Sequence, residues 1–262
     1  MDVDTVPLRD SQARDRLRFR TRFAETSAEI AACQALRGRL FLGSASSTDR
    51  DHFDDVCDHL LVERSRDDTL VGTCRVMRIE TGAEIQQSYS AQYYDLARLA
   101  EYPGRMGEIG RFCMLSELEH ADILRIAWGA LAAWVDANKI DMLFGCSSFA
   151  GTDPMVYSDC FHLLAKGHLA PRQYAPLSKA DAVWPYAEFA SAGFDRSFAM
   201  KRMPPLLRSY LTMGGWVSDH AVIDRDLKTL HVFTGLEVAL IPQARARALR
   251  SVATLLGEQA LT

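Results

Sequence analysis

The 262-residue chain has six cysteines but no CxxC pair. Cys33, Cys57, Cys74, Cys113, Cys146 and Cys160 are scattered, most of them in apolar runs, as expected of a reduced cytoplasmic protein without a disulfide framework. No apolar run approaches the ~20 residues that span a bilayer. The opening MDVDTVPLRDSQARDR has no apolar h-region, so no secretory signal is expected. Positive charge is not in excess: the net charge of −4 argues against a broad nucleic-acid surface. GxxxxGK[ST], GxGxxG after a strand, GxSxG and HExxH are all missing. No metal site is expected, since His162 and His168 are six apart and fall on different faces of a helix. Repeats, low-complexity tracts and a clear linker are also absent.

What remains is a chain of ordinary globular composition, with 48% hydrophobic and 24% charged residues. Residues 1–16 are polar and read as a loose arm, with one domain from 17 to 262. LRFRTRF (Leu17–Phe23) alternates apolar and arginine, the mark of a strand with one wet face. Thr26 and Glu29 have capping-box spacing ahead of a helix. DHLLVER and LVGTCRVMRI read as a hairpin pair. QQSYSAQYYDLARLAE reads as a short helix, and Asp122–Lys139 as a long one burying Ile123, Ala127, Leu131 and Trp134. IDMLFGCSSF is a buried strand, and MVYSDCFHLLAKGH a further helix. FAMKRMPPLLRSYL and HVFTGLEVALI read as strands flanking a short helix. The C-terminal segment from Ile241 reads as an amphipathic helix with Pro242 near its first turn. The order predicts a mixed α/β layer fold with one central sheet.

GRMGEIGRFCM (Gly104–Met114) is apolar enough for a core strand, yet it carries Glu108 and Arg111 around Gly110. Arg75 sits in another β-rich run. Buried charges need partners, and DRDHFDD supplies Asp49, Asp51, Asp54 and Asp55. Either these groups form a structural ion-pair network, or they line a polar pocket in the sheet. In a flat strand, residues 108 and 111 face opposite ways. A bulge near Gly110 would bring them to one side and splay the strand from its neighbour. The freed backbone N–H groups could then hold an oxyanion.

QALRGRLF, DRDHFDDVCDHLLV, LVGTCRV, EIGRFCM, LFGCSSFAGTDP, MPPLLRSYLTMGGWV and DLKTLHVFTGLEV, in that order, resemble one family. It is the acyl-carrier-protein-dependent ornithine N-acyltransferases of ornithine lipid synthesis, which are GNAT-like and related to acyl-homoserine-lactone synthases. The likeness runs from about Arg18 to Ile241. It implies a GNAT-like acyltransferase fold, a mixed central sheet flanked by helices, with a C-terminal extension. Features shared with the lactone synthases are Arg37 with Phe41, Asp51 with Asp54, Arg75, and Glu108 with Arg111. LFGCSSFAGTDP and MPPLLRSYL favour the ornithine lipid branch. Phe112 departs from the small Ser of many members, which bears on the shape of the acyl tunnel. LSELEHADI replaces the usual GNAT pyrophosphate loop, consistent with a donor that enters only as the 4'-phosphopantetheine arm of acyl carrier protein.

The resemblance implies transfer of a 3-hydroxyacyl group from acyl carrier protein to the α-amine of L-ornithine, with no bound cofactor. Glu108 is the candidate base, with burial raising its pKa and Arg111 lowering it. Arg111 or Arg75 would meet the substrate carboxylate, and Asp51 or Asp54 its side-chain ammonium, unless these groups only pair with one another. Arg37 would contact substrate or the acidic loop. Phe41, Phe112, Cys113, Ser147 and Ser148 complete the expected substrate-binding set. Cys113 and Cys146 read as core thiols rather than nucleophiles. A basic rim for the carrier is expected among Arg18, Arg20, Arg22, Lys201, Arg202 and Arg208. The C-terminal helix would pack on the sheet or touch the inner membrane face. Another amino-acid N-acyltransferase, a lactone synthase, and a non-catalytic carrier- or lipid-binding module are the alternatives.

Overall fold

The computed structural model describes residues 18–44, 46–115, 119–189 and 193–259. The expected N-terminal arm lies outside them. The strands are β1 (Phe19–Phe23), β2 (Asp58–Arg64), β3 (Thr69–Ile79), β4 (Tyr94–Asp95), β5 (Met106–Met114), β6 (Met142–Ala150), β7 (Leu177–Ser178), β8 (Val183–Trp184), β9 (Trp216–Val217), β10 (Ala221–Asp224) and β11 (Thr229–Glu237). The helices are α1 (Ser27–Phe41), α2 (His120–Asn138), α3 (Ser158–Gly167), α4 (Arg196–Arg202), α5 (Pro205–Thr212) and α6 (Gln243–Gln259). One large sheet runs β1-β2-β3-β5-β6-β11-β10-β8, with β9 also on β11; β4 and β7 pair separately. Every pairing in the large sheet is antiparallel except β5 with β6. The expected mixed α/β fold with one central sheet is what forms.

Local chemistry explains most elements. On β1, Phe19 is buried while Arg20 and Arg22 reach Glu63 across the pair with β2. At α1, the Glu29 N–H donates to Thr26 Oγ1 at 3.3 Å and the Thr26 N–H to Glu29 Oε2 at 3.0 Å, a complete capping box. Along α2, Ile123, Ala127, Leu131 and Trp134 are all buried, as the periodicity requires. Cys74 and Val76 of β3 share that core, whereas Arg75 between them points to the face that α1 covers.

Two segments depart from the expectation. FAMKRMPPLLRSYL forms α4 and α5, not a strand: Asp195 Oδ1 accepts from the Phe198 N–H at 2.9 Å, and Pro205 opens α5. Leu207 and Leu211, four apart, then bury against the β6–β11 half. QQSYSAQYYDLARLAE forms short 3-10 turns around β4 instead of one helix. In α6, Leu249, Val252 and Leu256 pack on the core beneath α2. Arg250 meets Asp136 at 2.9 Å. Among the described residues no helix is long and apolar enough to cross a membrane.

Candidate active site

The β5–β6 pair organises the site. Its parallel ladder covers only Met106–Glu108 against Met142–Phe144. Past these rungs the strands diverge. They still touch at Gly145, where an added Cβ would lie 2.2 Å from the Ile109 carbonyl oxygen. Against β3, β5 carries one extra residue between the Arg75–Gly110 and Thr73–Cys113 pairs. The bulge predicted from Glu108 and Arg111 is therefore present. Its left-handed residue is Arg111, at φ 53°, and not Gly110. A non-glycine residue there costs about 1–2 kcal/mol. Gly110 contributes space instead: a Cβ built on it meets nothing within 4 Å.

The divergence opens a cleft of about 440 Å³. Of the expected site residues, Phe41, Arg111, Phe112, Cys113, Ser147 and Ser148 line it. Arg37, Asp51, Asp54, Arg75 and Glu108 do not. Burial raises the Cys113 and Cys146 thiols to about 12, so neither is a thiolate at neutral pH.

The charged residues behind the cleft close on one another. Arg37 Nε donates to Asp49 Oδ2 at 2.8 Å and its Nη2 to Asp54 Oδ1 at 2.7 Å. Arg75 donates from Nη1 to Asp54 Oδ1 at 3.0 Å and from Nη2 to Asp51 Oδ2 at 3.2 Å. Arg111 Nε donates to Asp49 Oδ2 at 3.0 Å and its Nη2 to Asp51 Oδ2 at 3.3 Å. Each aspartate thus bridges two arginines, and the three arginines and three aspartates form a closed, charge-balanced ring. Burial works against the charge on Asp54, yet Arg37 and Arg75 hold its carboxyl below the usual range; Arg75 and Arg111 do the same for Asp51. Sequence reasoning names Asp49 with the acidic loop but does not place it among the expected site residues. The signal for it is Gly38, where a Cβ would lie 2.0 Å from the Ser47 carbonyl oxygen. The missing side chain lets the loop cross α1 against Arg37, with the Asp49 N–H donating to the Gln34 carbonyl at 3.2 Å.

Glu108 stands apart from this ring. Its Oε1 accepts from the Ser90 N–H at 2.7 Å and hydroxyl at 2.6 Å, and Oε2 from the Tyr89 N–H at 2.8 Å. Burial outweighs these donors and raises its pKa. Arg111 lies over the Tyr89 ring at 4.7 Å. The bulge thus brings Glu108 and Arg111 to one side, with Tyr89 between them rather than a direct ion pair.

Sequence reasoning missed the far wall. His231 of β11, 2% exposed, lines the cleft, and so does Asp224 of β10. Tyr94 donates its one hydroxyl proton to the His231 carbonyl at 2.9 Å and sits 3.1 Å from Nδ1. The Nδ1–H tautomer satisfies both contacts, with the hydroxyl oxygen accepting from Nδ1 while its proton goes to the carbonyl. Nε2 is left as a buried acceptor without a partner among the described residues. Burial lowers the His231 pKa to about 3, so the ring is neutral.

Arg18, Arg20 and Arg22 are less available for a partner than expected. Arg18 meets Glu119 at 2.5 Å, and Arg20 and Arg22 each meet Glu63 at 2.9 Å. Arg208, with Arg125 and Arg245, borders a second groove that shares His120 and Pro205 with the cleft. Part of the segment in place of a pyrophosphate loop, 116–118, lies outside the described residues.

The family model for the acetyltransferase (GNAT) domain matches residues 29–129, from α1 into α2. An L-ornithine N(alpha)-acyltransferase of Rhodobacter capsulatus is 33% identical over 235 residues, 82% of this chain and 88% of that protein. The chain belongs to the L-ornithine N(alpha)-acyltransferase family. A member from Agrobacterium fabrum is 30% identical over 238 residues, 84% of this chain and 81% of its own length. Among solved structures, an N-acyl amino acid synthase from uncultured soil microbes covers 87% of this chain and 98% of its own at 12% identity, with a TM-score of 0.48. Family membership makes the chain an acyltransferase with a GNAT-like fold.

Proposed function

We propose that the chain moves a 3-hydroxyacyl group from acyl carrier protein to the α-amine of L-ornithine, giving a lyso-ornithine lipid. The observation that carries this reading is the cleft between β5 and β6, in a chain related over most of its length to L-ornithine N(alpha)-acyltransferases. The cleft combines an apolar wall, unladdered backbone and one guanidinium. The reaction is aminolysis of a thioester. The acyl C–S bond breaks, the C–N bond forms, and the proton lost by nitrogen ends on the departing thiolate. No bound cofactor takes part; the phosphopantetheine arm carries the donor.

Placement supports the following roles. Backbone N–H groups of β5 beyond Glu108 receive the thioester oxygen. His231 Nε2 accepts from the neutral amine and turns its lone pair toward the carbonyl carbon. Arg111 meets the substrate carboxylate through Nη1, which neither Asp49 nor Asp51 engages. Glu108 is a positioning residue that, through the Tyr89 and Ser90 donors, fixes Tyr89 on the cleft wall. Phe41, Phe112, Cys113, Ser147 and Ser148 shape the acyl and amine space. Arg37, Arg75, Asp51 and Asp54 hold the bulge from behind. Arg125, Arg208 and Arg245 offer the acidic carrier a basic rim beside the cleft mouth. The protein works in the cytoplasm, releasing its amphiphilic product at the inner membrane face.

The test is thiol release from 3-hydroxyacyl carrier protein with and without L-ornithine, with the product identified by mass spectrometry. Ornithine-dependent release is expected. Release that depends on another amino acid or on S-adenosylmethionine would replace ornithine as acceptor. Carrier binding without any release would make the chain a binding module.

A further inference from the structure

Ornithine carries one carboxylate and two amines, and the reading above places only the carboxylate and the α-amine. The side-chain ammonium needs an anion. Asp51 and Asp54 are bound to guanidiniums in the ring, and Glu108 accepts three donors from Tyr89 and Ser90. None of these three lines the cleft. Among the described residues that do, Asp224 is the sole carboxylate and Arg111 the sole guanidinium or ammonium.

Asp224 ends β10 at the hairpin to β11, paired with Thr229, and is 6% exposed. Thr229 and His231 alternate with Leu230, so both share a face with Asp224. Ala150 and Ser148, their partners on β6, lie on that face too. The turn fixes only half of the carboxylate. Oδ1 accepts from the Asp226 N–H at 3.0 Å and the Leu227 N–H at 2.9 Å. Oδ2 has no hydrogen-bond partner among the described residues. Cys146 on the cleft wall and Tyr93, packed on His231 at 4.9 Å, lie within reach of both charges. Burial dominates the raised pKa of Cys146 and of Tyr93, and on each of them Asp224 pushes up while Arg111 pulls down.

We propose that Asp224 receives the side-chain ammonium of the amino-acid acceptor across the cleft from Arg111, and so selects a basic acceptor. This rests on the proposed ornithine-acylating activity. The carboxylate is pre-oriented by its own turn, so little reorganises when the ammonium arrives. An apolar acceptor of equal length would set a methyl against Oδ2 where a donor is wanted, which is how a polar site rejects an isostere.

The experiment compares full-length wild type with Asp224→Asn in the thiol-release assay, using L-ornithine and its uncharged isostere L-norleucine. Asparagine keeps the Oδ1 acceptor for the turn and removes only the charge. The expected result is a fall of about 10- to 100-fold in kcat/KM for ornithine, from losing one charge-assisted hydrogen bond. Norleucine turnover should move less than about threefold. Asp224→Glu, one methylene longer, should shift preference toward L-2,4-diaminobutyrate. Equal losses for ornithine and norleucine would reduce Asp224 to a turn residue and overturn the assignment, as would an unchanged ornithine-to-norleucine ratio. If the wild type releases no thiol with ornithine, the proposed activity falls and this inference with it. Ornithine-dependent release with the same ratio in both proteins overturns the Asp224 role alone.

Discussion

Replacing Asp54 by asparagine removes one negative charge from the arginine–aspartate ring at constant size. Asp54 takes hydrogen bonds from Arg37 at 2.7 and 2.9 Å, Arg75 at 3.0 Å, Gln34 at 3.1 Å and the Asp51 N–H at 3.2 Å. Its side chain is 1% exposed, that of Arg37 0% and that of Arg75 3%. The substitution leaves three guanidiniums facing two carboxylates, with Arg37 and Arg75 closed off from water, and turns an amide N–H2 toward donors. Removing one partner of a buried pair costs about 3–5 kcal/mol. For a chain of this size each kcal/mol lowers Tm by roughly 2–4 °C, so a fall of roughly 6–20 °C is expected. Urea and thermal unfolding followed by circular dichroism measure it. The control is Asp136→Asn, which cuts the 2.9 Å pair with Arg250 where the side chains are 46% and 55% exposed. That loss should stay within about 1 kcal/mol. An Asp54→Asn protein within about 3 °C of wild type would show that the ring does not hold the bulge.

Four further outcomes are expected. Glu108→Gln opposes an amide N–H2 to the Tyr89 or Ser90 donors, so stability should drop by about 1–3 kcal/mol. Its kcat should stay above about one hundredth of wild type; a larger loss at unchanged KM would return Glu108 to the role of base. Gly110→Val fills open cleft space, and should lower kcat/KM for long acyl donors more than for short ones, with little change in Tm. His231→Phe keeps the ring shape and removes Nε2, so kcat should fall about 10²- to 10⁴-fold at unchanged carrier affinity, and an active variant would refute the acceptor role. On pH, burial holds the folded His231 pKa near 3 against the usual 6.5. The unfolded chain therefore binds the proton first. Stability should decline by up to about 1.4 kcal/mol per pH unit from this group as pH falls below 6.5. Asp51 and Asp54, depressed in the fold, add to the loss only once pH drops below the unfolded value of 3.8. An acid-unfolding curve that stays flat down to pH 4 would contradict the His231 contribution.

Much of the framework could be read in the sequence because it rests on local rules. Alternation gave β1, the Thr26–Glu29 spacing gave the start of α1, and a 3.6-residue period gave the buried face of α2. The bulge was legible because Glu108 and Arg111 cannot both be satisfied on a flat strand. Its hinge residue was not. Glycine is the default for positive φ, but here the ring holds Arg111 in that conformation, and tertiary pairing overrides local preference. The α4–α5 segment misled because its apolar residues are dense enough to suit either period, and Pro205 decides for a helix start. Asp224 and His231 gave no signal, since a lone histidine or a turn aspartate in a strand carries no pattern. Only the β6–β11–β10 register brings them to face Arg111.

The short β5–β6 ladder has a mechanical consequence. The two halves of the sheet, β1-β2-β3-β5 and β6-β11-β10-β8, are joined along the strand direction by three rungs at Met106–Glu108. Met114 lies six residues beyond the last rung, a lever of roughly 20 Å at ~3.3 Å per residue. A rotation of about 5° at the rungs moves the far end by about 2 Å over that length. The same junction that closes the sheet at one end is the apex of a wedge, and under the proposed function its wide end would set the passage for a long acyl chain.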